Sequence, residues 1–87
     1  MPYSPVFSND FNETLVKLKK KDNPLFEALN KKIREILNNP EHYKPLRNAL
    51  KGCRGVHVGH FVLLFEISET EKSVIFLKFE HHDTAYK

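Results

Sequence analysis

The chain carries five histidines, and four of them, His57, His60, His81 and His82, lie past its midpoint. The last two stand in FLKFEHHDTAYK, where an apolar strand runs into two imidazoles, an aspartate and Tyr86, one residue from the end. Histidine as a residue type titrates near neutrality, so one ring can take a proton while another gives one. Such groups suit work on an RNA phosphodiester, whose 2′-hydroxyl supplies its own nucleophile. The protein need only position that hydroxyl, deprotonate it, neutralise the phosphate and protonate the leaving oxygen. Neither a metal nor a covalent intermediate is required.

Two other uses compete. His57, His60, His81 and His82 offer nitrogen ligands, but neighbouring histidines leaving an extended strand point opposite ways. No HExxH or paired CxxC strengthens that case, so no metal and no cofactor are expected. The third use is a solvated tail, since for any one histidine surface polarity or a satisfied hydrogen bond is the commoner role. Tyr86 is equally an apolar anchor for the tail. Cys53 lies between glycine and arginine without a catalytic-cysteine signature, and three glycines make no phosphate loop.

The elements that must position these groups are legible. YSPVF is a short strand whose Pro2 and Pro5 flank or interrupt ladder donors, which fits a sheet edge. Phe11, Leu15 and Leu18 fall at helical spacing, with Asp10 and Glu13 placed as a capping box and an end near Lys21 and Asp22. In the next helix Asn23 caps, Pro24 takes the first position and Asn38-Asn39-Pro40 stops it. Its stripe is Leu25, Phe26, Leu29, Ile33, Ile36 and Leu37. So short a linker makes the two helices an antiparallel hairpin. Leu46 and Leu50 could form a helical turn. GVHVGHFVLLFEI, a turn at SETEK and SVIFLKF then read as a three-stranded meander, the middle strand buried on both faces.

The expected order is β-α-α-β-β-β: an α+β fold with a helical hairpin on one small, mainly antiparallel sheet, in a single domain over 1–87. In the first meander strand Val56 and Val58 share a face and His57 takes the other, flanked by Gly55 and Gly59. His60 begins the next strand, and Phe79 ends the last. His57 and the terminal cluster are then expected on one face, beside a basic surface.

The formal charge of +3 is unevenly spread. Through Arg54, eleven Lys and Arg stand against six acids; beyond it, three Lys stand against five. The basic half either faces a polyanion or is the wet side of two amphipathic helices. No apolar run has membrane length, the start lacks a signal peptide's pattern, and one cysteine cannot staple the fold. A cytoplasmic protein without a membrane is expected.

Taken together, the layout, the LKGCRGVHVGHFVLLFEI segment and the ending HHDTAY resemble RelE-type toxins of bacterial and archaeal toxin–antitoxin pairs. The likeness spans essentially the whole chain. Its pieces are Leu-Lys-Gly before the meander, the spacing of Gly59, Phe61 and Phe65, and the His-x-x-x-Tyr of His82 and Tyr86. It implies an endoribonuclease that cuts messenger RNA on the ribosome without metal. It also implies a RelB-like antitoxin partner, in a heterotetramer or similar neutralising complex.

Members with a His-rich site, of the YafQ kind, imply His82 as general acid, His57 as base or phosphate ligand, and Tyr86 stacking on a base or orienting the 2′-hydroxyl. His60, His81 and Arg54 are further catalytic or phosphate-binding candidates. RelE carries an arginine where this chain has Val62, which favours the histidine variant. In this setting Lys17, Lys19, Lys20, Lys21, Lys31, Lys32, Arg34, Lys44, Arg47 and Lys51 imply attraction to ribosomal RNA. The alternatives are a gyrase poison of the ParE kind and a non-catalytic RNA- or protein-binding module of the same fold.

Overall fold

A computed structural model describes residues 3–45 and 52–85. Strand β1 (Ser4–Phe7) leads into helices α1 (Asn9–Lys21) and α2 (Asn23–Asn38), then a single 3-10 turn at Pro40–His42. Strands β2 (Arg54–Val58), β3 (Phe61–Ser68) and β4 (Ser73–His81) follow, and a helical turn, α3 (His82–Ala85), comes after them. The expected helical turn at Leu46 and Leu50 lies outside the described residues.

The four strands form one sheet in the order β1-β4-β3-β2. The meander is antiparallel, while β1 lies at the edge, parallel to β4. The fold is therefore α+β with a mixed sheet. Pro5 is tolerated because the edge leaves one side of β1 without a ladder partner.

Helix α1 starts one residue after β1. Its cap is Ser8, not Asp10: Ser8 Oγ accepts the Phe11 N–H at 3.1 Å and donates to the Leu77 carbonyl at 2.8 Å. Ser8 wins because it sits extended at the junction, where its hydroxyl reaches the free N–H groups of the first turn. Asp22 links the helices alone. Its backbone N–H closes α1 on Leu18, and its carboxylate caps α2 through the Leu25 N–H at 3.1 Å. Asn23 and Pro24 thus each sit one position further into α2 than expected.

The helices bury Phe11, Leu29, Ile33 and Ile36 on one face of the sheet, against Val58, Leu63, Phe65, Val74, Phe76 and Phe79. Rings of Phe7, Phe11 and Phe76 lie 5.5 to 5.7 Å apart. Val62 and Leu64 form a separate buried pair on the opposite face, so β3 is buried on both sides, as its unbroken apolar run requires.

One irregularity sets the rest. Leu64 pairs with Lys78 and Phe65 with Phe76, so Leu77 is an extra residue on β4. Such a bulge reverses the alternation beyond it. Phe76 and Phe79 both reach the helix side, while Lys78 and Glu80 turn to the other face.

Candidate functional site

At the β2–β3 end of the sheet, Gly59 and His60 make a two-residue turn, with Gly59 at φ +62°. A positive φ at the first turn position is the glycine signature of such hairpins. His60 is thus in the turn rather than in β3. Strand β4 also runs further than the sequence indicates, to His81, which pairs with Phe61. The chain then leaves the sheet: the His82 N–H donates to the His60 carbonyl at 3.0 Å, and α3 begins.

This change from strand to helical turn overturns the expectation that His81 and His82 diverge. Their rings lie 4.6 Å apart. His81 also stacks near His60 at 6.3 Å and meets Phe61 edge-on at 5.6 Å. Asp83 lies between the two: its carboxylate is 3.5 Å from His81 Nδ1 and 3.0 Å from His82 Nε2. His82 Nδ1 sits 3.2 Å from the His60 carbonyl, and Asp83 donates its N–H to His81 Nδ1 at 3.2 Å. His60, His82 and Asp83 are exposed, and His81 is partly so.

His57 is exposed on the face away from the helices, in register with Val62, whose other partner is Glu80. Among the described residues no hydrogen bond or ring contact joins His57 to the terminal cluster. The charged groups that share its face are Glu66, Lys78 and Glu80; Glu80 lies in the row of His57, Lys78 in the row of Gly55 two strands away, and Lys78 and Glu80 are 3.7 Å apart. Sequence reasoning missed Lys78, because simple alternation puts it with Phe76. It also missed Asp83 as a working group, although HHD puts that carboxylate directly beside both imidazoles.

Arg54 begins β2 on the helix-side parity, and its guanidinium donates to the Tyr43 carbonyl. Val62, where RelE has arginine, is fully buried beside Leu64. Lys17, Lys19, Lys20, Lys21, Lys31 and Arg34 are exposed on the helical layer, as is Lys44 just after it, and Lys32 pairs with Glu35 at 3.1 Å. The helical cations thus stand over the other side of the sheet from His57, not beside it. Tyr86, Arg47 and Lys51 lie outside the described residues.

Two further features bear on chemistry. Burial and then the nearby Glu66 carboxylate, 3.8 Å from Sγ, push the Cys53 thiol up, which opposes a nucleophilic role. A polar crevice of about 220 Å³ opens between α1 and β4, lined by Asp10, Glu13, Thr14, Lys17, Lys78, Phe79 and Glu80. Neither His57 nor His82 lines it. No helix among the described residues is long and apolar enough to cross a membrane.

Comparison with known proteins places this architecture. A family model described as the ParE toxin of type II toxin–antitoxin system, parDE, matches residues 5–86. A relative designated RelE4 from Methanocaldococcus jannaschii is 46% identical over 77 residues, covering 87% of this chain and 82% of the relative. In the RelBE2 toxin–antitoxin complex of Mycobacterium tuberculosis, one chain superposes with a TM-score of 0.80 at 25% identity, over 94% of this chain and 100% of that one. A chain of the intact RelBE complex of Escherichia coli gives 0.74 at 20% identity, over 91% and 95%. The chain belongs to the RelE/ParE superfamily of type II toxin–antitoxin toxins.

Proposed function

We propose that this toxin is a ribosome-dependent endonuclease that cuts messenger RNA in the cytoplasm by 2′-hydroxyl attack, without metal. The observation that carries this reading is the exposed gathering of His60, His81, His82 and Asp83 at one end of the sheet. His82 is the general acid. Its ring is held on one side by the His60 carbonyl and on the other by Asp83, which supports a fixed direction for proton delivery.

The base must stand across the phosphate from the acid. Rings 4.6 Å apart leave no room for a phosphodiester between them, so His81 does not serve as base to His82. His57, on the neighbouring open face, is the better candidate, with Lys78, on that face two strands away, to neutralise phosphate charge. Tyr86 is assigned the role of stacking on a base. The lysines of α1 and α2 would attract ribosomal RNA at long range, which makes binding salt-sensitive.

An antitoxin protein is the expected inhibitor, as in the RelBE complexes of similar fold. An apolar groove supports this: Phe7, Leu15, Val16 and Phe26 line it, with Lys19 and Asn12 at its margin. Val16 is 59% exposed. An amphipathic, acidic antitoxin segment would cover both the apolar groove and the basic helix.

The test is cleavage of messenger RNA on programmed ribosomes with EDTA present, comparing wild type with His82→Ala. Discrete cuts that fall by about 100-fold or more in the variant support the reading. Equal cutting by both moves the chemistry away from His82. The match to the ParE family model keeps a second reading, a gyrase poison of the ParE kind. DNA damage in treated cells, with translation intact, would select it.

A further inference from the structure

We propose that His81, His82 and Asp83 form a binding site for a divalent transition metal of the zinc class. One ligand atom from each of the three comes within 4.8 Å of the others. Ligand atoms in a tetrahedral zinc site stand about 3.4 Å apart, from bonds of about 2.0–2.2 Å. The separation of His82 Nε2 from Asp83 Oδ1, 3.0 Å, is already close to that value; His81 Nδ1, 3.5 Å from the other Asp83 oxygen, now accepts the Asp83 N–H and would exchange it for the ion. Two imidazoles and a carboxylate are a donor set for zinc, nickel or cobalt rather than for magnesium or calcium.

The surroundings of His82 point the same way. Its Nδ1 faces the His60 carbonyl, which can only accept, so that nitrogen carries the hydrogen. In the neutral ring the lone pair is then on Nε2, aimed at an Asp83 oxygen 3.0 Å away. A positive charge belongs between them: a proton on Nε2 makes an ion pair, and a metal ion can take that proton's place. A ring whose far nitrogen donates to a backbone carbonyl is also the arrangement that orients metal-ligating histidines. The three ligands are consecutive and His82 among them is anchored by the His60 carbonyl, so little chain entropy is lost on chelation. Their exposure gives an ion free entry and leaves a fourth position for water.

The site stands independently of the nuclease reading. Its regulatory consequence rests on that reading: a metal on Nε2 occupies the lone pair through which His82 would carry its proton. Zinc would therefore inhibit cleavage, and EDTA would restore it.

Titration calorimetry of the untagged full chain with zinc chloride tests the site directly. The expected result is one ion per chain at micromolar affinity. It should weaken by about tenfold or more in Asp83→Asn and in His81→Ala, and stay unchanged in His42→Ala. Far-ultraviolet circular dichroism would verify that each variant is folded. Cobalt should give visible d–d absorption in the wild type that the Asp83 variant loses. Failure to bind zinc below about 100 μM, a weak carboxylate-like affinity, overturns the site. So does equal binding by folded Asp83→Asn. Binding without cleavage by the apo-protein under any condition would overturn the nuclease reading and leave the metal site standing.

Discussion

His82 meets the carbonyl oxygen of His60 twice, through its amide at 3.0 Å and its ring Nδ1 at 3.2 Å. The partner is backbone, so the imidazole of His60 is not needed for the contact. His60→Ala should keep His82 in place and lower cleavage by less than about tenfold, against about 10²–10⁴-fold for loss of an acid–base group in His82→Ala. Nitrogen NMR of the His82 ring should show the same tautomer in the His60 variant. A His60→Ala protein as inactive as His82→Ala would mean that both rings act on the substrate.

The turn that presents this carbonyl depends on Gly59. A Cβ built there meets nothing within 4 Å, yet the backbone is at φ +62°. The cost of Gly59→Ala is therefore torsional, about 1 kcal/mol. Urea unfolding should show a lower midpoint with an unchanged slope. An unchanged midpoint would mean that the turn relaxes to another type.

Tyr3 ties the start of the chain to the β3–β4 turn. Its hydroxyl donates to Glu69 at 2.7 Å. That bond, then burial, then the charges of Glu69 and Glu41 push its pKa up to about 12. The fold favours the neutral phenol, so the stabilisation is complete below the ordinary value near 10 and is lost as pH rises through about 12. Absorbance at high pH should show one of the three tyrosines ionising late. In Glu69→Gln that phase should move down toward the others. A late phase that persists in the variant would assign the shift to burial instead.

Much of this architecture was readable because its signals are periodic. The stripe of α2, the double-sided burial of β3 and the Pro5 edge all follow from spacing or from a missing donor. The site was read less well, because its geometry comes from breaks in period. Alternation cannot show that Leu77 is an extra residue, so Lys78 was assigned no role and Glu80 no direction. Nor does an unbroken run of strand-like residues reveal that the backbone turns between His81 and His82. The caps slipped by one or two residues for a local reason: Ser8 and Asp22 sit at junctions with non-helical backbone, where a side chain reaches the free N–H groups of the next helix.

Phe76 is the packing centre that the helices and sheet share. It is fully buried and near the rings of Phe7, Phe11 and Phe65. Phe76→Ala should cost about 3–5 kcal/mol. Domains of this size have roughly 5–15 kcal/mol in total. Thermal unfolding of the variant should therefore begin near working temperature. A loss below about 1 kcal/mol would show that the surrounding rings collapse into the space.

The extra residue at Leu77 divides β4 into two blocks that are out of phase, Ser73 to Phe76 and Lys78 to His81. A strand has no memory of direction beyond its own alternation, so phase is inherited from whatever lies upstream. Absorbing Leu77 into the ladder by a one-residue slip would turn over every side chain after it. Lys78 would face the helices, Phe79 would face water, and His81 would leave the ring of Phe61. The Leu77 carbonyl, held by the Ser8 hydroxyl at the head of α1, works as a latch against that slip. The placement of the terminal imidazoles is thus set at a residue that touches none of them.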